Sequence, residues 1–384
     1  MTARSLAASV LACAALAAAP AAAQTFNTSA GDVTVSTVAR GLEFPWSLAF
    51  MPDGQMLVTE RPGRMRIVTR DGRLSPAVSS VPRVFAEGQA GLEDVILARD
   101  FAQSHTIYFC YAEAADGGGR IAVARAKLVV DETPHLDAVK TIFHQKGPPS
   151  RGSSIINIGC RMAQAPDGNL FVTLGDHVGN SRQARMAQTL DNHIGKIVRI
   201  RPDGSAPPDN PFVNKPGALP EIWAYGIRNS EGLAFNPADG KLWEQEHGPK
   251  GGDEINIIQK GGNYGWPVVS FGVNYDGSPV GDGKQRAPGM IDSIWHWTPS
   301  IATSGMMFYT GDLFPQWKGS LFNGALKYQL VSRVTLDGDK AVKEERMLQD
   351  LNERIRDVRQ GPDGAIYLLT DNKEGRILRM TPAK

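Results

Sequence analysis

Cysteine is scarce: the 384 residues contain three, and one of these, Cys13, lies in an apolar N-terminal stretch. Only Cys110 and Cys160 remain in the body of the chain. At most one bridge can form there, which excludes a disulfide-dense scaffold and leaves open whether the two meet. A dominant charge is missing too, since 41 Lys and Arg face 40 Asp and Glu. No basic field exists to draw a nucleic acid or an anionic lipid surface. Past the N-terminus no apolar run approaches the roughly eighteen residues that a spanning helix needs. What the chain has in quantity is glycine (41) and proline (25), spread throughout, with 42% hydrophobic residues. Turns are frequent, low complexity is excluded, and an all-β protein is the first expectation.

The opening MTARSLAASVLACAALAAAPAAAQTF has one arginine, a Leu/Ala-rich run and Ala21-Ala22-Ala23 before Gln24. This is the pattern of a secretory signal, cleaved after Ala23. A lipoprotein site at Cys13 fits poorly, because the apolar run continues beyond it. Residues 1–23 are therefore expected to be removed, and residues 24–384 to form one domain that is periplasmic or secreted.

A unit recurs along that domain: an apolar strand, an Asp-Gly turn and a second strand. It reads SLAFMPDGQMLVTE from Ser47, RMAQAPDGNLFVTLGD from Arg161, GLAFNPADGKLWEQEHG from Gly232 and DVRQGPDGAIYLLTD from Asp357. Degenerate copies follow Asp94 and Ser304. Six starts at spacings of roughly 45 to 70 residues match a six-bladed β-propeller with four-stranded antiparallel blades. RMRIVTR, RIAVARAKL, GKIVRI and GRILRM read as outer strands, and residues 32–39 are free to complete the last blade. A two-domain β-sandwich competes poorly, because sandwiches lack such self-similarity. Insertions at 131–158, 178–196 and 259–303 are candidate walls of a site.

The densest constellation is EQEHGPKGGDEINIIQKGGNYGWP, residues 244–267. Its acids and irregular carbonyl-rich turns suit calcium, and suit a solvated acidic loop equally well. Arg354 and Arg356 alternate in ERIRDVR and share a face. That pair invites an anion, or forms a solvated ladder.

The motifs GQAGLEDV, YGIRNSEGLAF, EHGPKGGDEINI, KGGNYGWP, the Ser304-Gly305-Met306 strand, GALK and RIRDVRQGPDG stand in the order of a known family. On them the chain resembles the soluble PQQ-dependent aldose sugar dehydrogenases, relatives of soluble quinoprotein glucose dehydrogenase, over residues 40 to 382. The resemblance implies a propeller holding pyrroloquinoline quinone (PQQ) and Ca2+. Lys327, Arg354 and Arg356 would clamp the cofactor's carboxylates, with Gln89, Arg228, Asn229 and Tyr275 as further contacts. Carbonyls of Gly248 and Pro249 would hold one calcium, and Glu254 with Tyr264 a second, structural one. Arg228 would also stabilise negative charge at the reacting carbon. The implied reaction oxidises the C1 hydroxyl of an aldose to a lactone and passes electrons to an external acceptor. His177, His193 and His247 are expected to be structural loop histidines.

One position departs from that family. It has a histidine general base ahead of a Gly-(small)-Arg segment, and alignment on Gly159 and Arg161 puts Asn157 there. An amide cannot take a proton near neutral pH. The chain is then a dehydrogenase with impaired or rerouted proton abstraction, for instance through His144, or a propeller that binds PQQ or sugar without efficient turnover. A calcium-dependent lactone hydrolase is a weaker alternative, because it has no use for the Lys327, Arg354 and Arg356 cations.

Overall fold

The structure is a computed structural model in which residues 23–151, 156–177 and 184–383 are described. The expected signal segment lies outside these residues except for Ala23. The strands in chain order are β1 (Gln24–Thr28), β2 (Gly31–Leu42), β3 (Pro45–Phe50), β4 (Met56–Glu60), β5 (Arg64–Val68), β6 (Leu92–Leu97), β7 (Thr106–Ala115), β8 (Gly118–Val129) and β9 (His135–His144). They continue as β10 (Met162–Gln164), β11 (Leu170–Leu174), β12 (Lys196–Ile200), β13 (Ile222–Tyr225), β14 (Ser230–Phe235), β15 (Leu242–Glu246), β16 (Asp253–Ile258) and β17 (Trp295–Trp297). The last are β18 (Thr303–Phe308), β19 (Leu321–Ala325), β20 (Leu330–Asp337), β21 (Lys340–Met347), β22 (Ile355–Gln360), β23 (Ile366–Thr370) and β24 (Gly375–Pro382).

These strands make six antiparallel sheets, the blades of a six-bladed propeller. Blades 2 to 5 have four strands each, from β6 to β21 in order. Blade 1 is β3-β4-β5, and blade 6 is β22-β23-β24 completed by β2, with β1 at its edge. The six repeat starts fall in or beside the first strands β3, β6, β10, β14, β18 and β22. The Asp-Gly turns work as their chemistry requires. Gly54, Gly168 and Gly364 all have positive φ, and Asp53, Asp167 and Asp363 accept the main-chain N–H two residues on. That combination closes a tight turn at little steric cost.

Two sequence expectations need correction. RMRIVTR, as β5, is the outermost strand of blade 1, but RIAVARAKL, GKIVRI and GRILRM are third strands with further strands outside them. The fourth strands of blades 2 to 6 are β9, β13, β17, β21 and β2, whose wet outer face dilutes the apolar pattern, and β1 lies outside β2. For the same reason the supposed insertion 131–158 contains β9, and 259–303 contains β17.

Apolar faces pack between neighbouring blades. Ile121, Val123, Ile158, Leu170 and Val172 join blades 2 and 3, and Val33, Trp317, Phe322, Leu368 and Met380 join blade 5 to blade 6. The Cys110–Cys160 bond forms, which ties β7 to the segment ahead of β10. Among the described residues no helix is long and apolar enough to cross a membrane. The topology has one consequence for function. Each first strand leaves, and each second strand returns to, the same face of the ring, so residues ahead of β6, β10, β14 and β22 meet residues just after β4, β11, β15, β19 and β23.

Candidate functional site

At that face the centre of the ring is strongly polar. The buried Arg356 guanidinium bonds Glu231 at 2.8 Å and reaches Asp371 at 3.4 Å. Arg354 donates to the same Asp371 oxygen at 2.9 Å and to the Leu326 carbonyl at 3.1 Å. The two arginines thus converge, as their alternation requires. Burial favours the neutral acids, yet Arg356 and Arg354 hold the Asp371 carboxyl below its ordinary range, and Arg356 does the same for Glu231. Glu93 is buried beside them, and among the described residues neither of its carboxyl oxygens has a hydrogen-bond partner. Burial and the nearby Glu231 push its pKa well up.

Asn157 lies at the mouth, 5% exposed and at φ +52°. Its Nδ2 donates to Asp176 Oδ1 at 2.9 Å, and its main-chain N–H donates to Gln89 Oε1 at 2.9 Å. Trp266 Nε1 donates to the other Asp176 oxygen at 2.8 Å. The Asp176 N–H in turn donates to the Arg228 carbonyl. Asn157 thus touches Gln89 directly and reaches Arg228 through Asp176.

Arg228 is 4% exposed and stacks on Trp266, with Cζ 5.3 Å from the ring centroid. Its Nη1 donates to the carbonyls of His247 and Gly248, each at 2.9 Å. Gly248 is bent tightly here, since a Cβ on it would meet the Gly251 carbonyl at 2.1 Å. Below lies a small void bordered by Glu246, Glu254, Tyr264 and Ser270. Burial pushes Glu254 well above the carboxylate range, with the Glu246 charge adding to it. Burial likewise raises Glu246 to about 7. The Tyr264 hydroxyl donates to the Ile257 carbonyl and accepts from Gln259 N–H, so its main-chain carbonyl is the group left for a cation. Carboxylates forced together out of water are the donor set a divalent cation needs.

Asn229 is fully buried, with Nδ2 on Glu231 and Oδ1 without a partner among the described residues. Tyr275 is 71% exposed and lines an open cavity of about 530 Å³ with Arg228, Pro249 and Trp266. Lys327 is exposed after β19, its Nζ 5.4 Å from the Tyr328 ring centroid. Among the described residues no carboxylate pairs with it. A cavity of about 590 Å³ beside Met51 and Phe101 opens at the other end of blade 1 and gathers none of these groups.

The histidines hold loops. His247 Nε2 meets the Thr303 carbonyl at 2.6 Å, His193 Nδ1 accepts from Lys146 N–H, and His177 Nδ1 meets the Pro148 carbonyl. His144, weighed as a substitute base, ends the outermost strand of blade 2 and pairs with Glu113 at 2.7 Å. Sequence reading missed Asp176, Trp266, Glu231 and Asp371. Asp371 directly follows a second strand, and Asp176, Gly248 and Lys327 each stand two residues past one; that shared place in the repeat was the available signal.

The family model for glucose/sorbosone dehydrogenases matches residues 42–379. Aldose sugar dehydrogenase YliI of Escherichia coli is 44% identical over 91% of this chain and 93% of its own length. Quinoprotein glucose dehydrogenase B of Acinetobacter calcoaceticus is 27% identical over 86% and 84%. The PQQ-bound aldose sugar dehydrogenase of Streptomyces coelicolor superposes with a TM-score of 0.73 at 29% identity, covering 91% of this chain and 98% of that one.

Proposed function

The chain belongs to the glucose/sorbosone dehydrogenase family, and from that premise we propose that it is an exported PQQ- and calcium-dependent oxidoreductase of aldose sugars. The observation that carries this reading is the unspent polarity of the mouth. Lys327 has no carboxylate partner among the described residues, and Arg228 Nε, Arg356 Nε and Asn229 Oδ1 are buried without hydrogen bonds. Such atoms are costly unless a ligand satisfies them. A flat tricarboxylate fits, with Lys327, Arg354 and Arg356 on its carboxylates and Gln89, Asn229 and Tyr275 around it. The Gly248 and Pro249 carbonyls suit calcium, and Glu254 with the Tyr264 carbonyl suits a second ion.

When bound, PQQ supplies a two-electron acceptor whose quinone oxygen calcium polarises. The rest falls to the chain's own residues. Arg228 places a positive charge where negative charge develops during transfer of the C1 hydride. The Gly248 carbonyl that would hold calcium accepts from Arg228 Nη1 here, so with that carbonyl engaged by the ion the Arg228 guanidinium would be free to face the cofactor. Asp176 is held by Trp266 and orients the side chain at position 157. Asn157 answers as a donor and cannot accept the proton of the C1 hydroxyl. Loss of such a base typically costs about 10² to 10⁴ in rate. That amide favours a second reading, a propeller that retains PQQ or sugar with little turnover.

Titration of apoprotein with PQQ, with and without calcium, followed by dye reduction with several aldoses, separates these readings. No binding at micromolar PQQ would sink the first and leave the second only as a sugar binder. Binding without dye reduction selects the second.

A further inference from the structure

Resting on the PQQ reading above, we propose that Arg61 is a further cofactor-binding cation, placed to meet a carboxylate of the quinone beside Arg354 and Arg356. Arg61 is the residue directly after β4, the place His247 takes after β15 and Asp371 after β23. The strand registers support that equivalence, because Glu60 pairs Pro45 as Thr370 pairs Ile355 and Glu246 pairs Ser230. The six-fold repeat therefore delivers Arg61 to the same face as the candidate clamps.

Its immediate surroundings hold it there. The Arg61 N–H donates to the Phe44 carbonyl, and its own carbonyl accepts from Leu92 N–H. The side-chain stem crosses Gly91, where any Cβ would fall 2.4 Å from Arg61 Cγ. Gly91 belongs to the turn that carries Gln89. The guanidinium carbon lies 4.4 Å from the centroid of the Phe44 ring. A stacked guanidinium keeps its in-plane N–H groups available.

Those N–H groups have no carboxylate or carbonyl partner among the described residues, in contrast to Arg354 and Arg356, which share Asp371. Burial lowers the Arg61 pKa, and of the charges facing it Asp371 and Glu93 oppose that shift while Arg356 and Arg354 add to it. Glu93 is pushed toward the neutral acid. Three guanidiniums thus face two committed carboxylates, Asp371 and Glu231, which Arg354 and Arg356 already engage. An incoming polyanion relieves this excess, and Arg61 is the member with its donors unspent.

The test is PQQ titration of the calcium-loaded full chain, read by tryptophan quenching and cofactor absorbance. Arg61→Gln should raise Kd about 10- to 100-fold, the span of one charge-assisted hydrogen-bond pair. Arg61→Lys, which keeps the charge and loses the fork, should recover part of the loss. Arg40→Gln, on the outer edge of blade 6, should bind as the wild type. A folded Arg61→Gln protein that binds within about twofold of wild type overturns the proposal. Equal losses in the Gln and Lys variants also overturn it, since they reduce Arg61 to packing on Phe44 and Gly91. Failure of the wild type itself to bind PQQ defeats the function reading and takes this inference with it.

Discussion

Replacing Asn157 by histidine tests the chemistry most directly. In asparagine Nδ2 hangs from Cγ, as Nδ1 does in histidine, so an imidazole Nδ1–H can take over the 2.9 Å bond to Asp176 Oδ1. Asp176 is held from the other side by Trp266, and it would fix the tautomer that leaves Nε2 free as a base. The backbone permits the change, since φ is +52° and histidine, like asparagine, is enriched among the non-glycine residues there. One hydrogen bond replaces another, so stability should shift by no more than about 1 kcal/mol. The barrier should fall by about 3 to 5 kcal/mol, which is a gain of about 10² to 10⁴ in kcat. Dye-reduction kinetics on PQQ- and calcium-loaded protein would measure it. The variant should also acquire an ascending limb in its pH profile, at or above the ordinary histidine pKa of about 6.5 because Asp176 favours the cation. The double variant Asn157→His/Asp176→Asn should lose most of the gain. A folded, cofactor-loaded Asn157→His protein that gains less than about tenfold refutes the assignment of that position.

Other perturbations probe the scaffold. Arg356→Met strips Glu231 of its ion-pair partner and leaves Asp371 with Arg354 alone, and should cost about 3 to 5 kcal/mol in urea unfolding; a loss below about 1 kcal/mol would contradict the buried network. Cys110→Ala/Cys160→Ala opens a cross-link spanning 50 residues, worth about 4 kcal/mol by loop entropy, and an unchanged midpoint would argue that the reduced chain is already constrained. Burial pushes the His177 pKa down to about 4 against the opposing Pro148 carbonyl bond. The folded state then holds His177 neutral, while the unfolded state protonates it below about 6.5. This contribution is complete above that pH and is lost as pH falls toward 4, amounting to about 3 kcal/mol. His177→Gln should flatten that part of the stability–pH curve, and an unaltered slope would show that other groups set it.

The ring was legible because its signal is local. Asp53-Gly54, Asp167-Gly168 and Asp363-Gly364 announce hairpins within a few residues, and repetition multiplies the signal. β9 was taken for an insertion because only one of its faces is dry. The site was legible in part through its motifs, which put Arg354 and Arg356 on one face of a strand and singled out Asn157 as a departure. Asp176 was hidden because its meaning depends on Trp266, 90 positions away, and on a mouth that exists only once six blades close. The Cys110–Cys160 bond likewise crosses between blades, a relation that spacing does not encode.

The seam in blade 6 has a consequence for how the chain is made. β2 emerges early in synthesis, yet its partner β24 arrives last; Ser36 and Arg379 meet across 343 positions. Contacts of such separation form late and cost the most loop entropy. Until then blade 6 has an open edge and the Val33, Leu378 and Met380 surfaces are bare. A chain ending before Gly375 should remain in that unsealed state, detectable as ANS binding and aggregation, whereas clean monomeric folding would show that the seam is dispensable. The last few residues thus act as the latch on a ring otherwise complete.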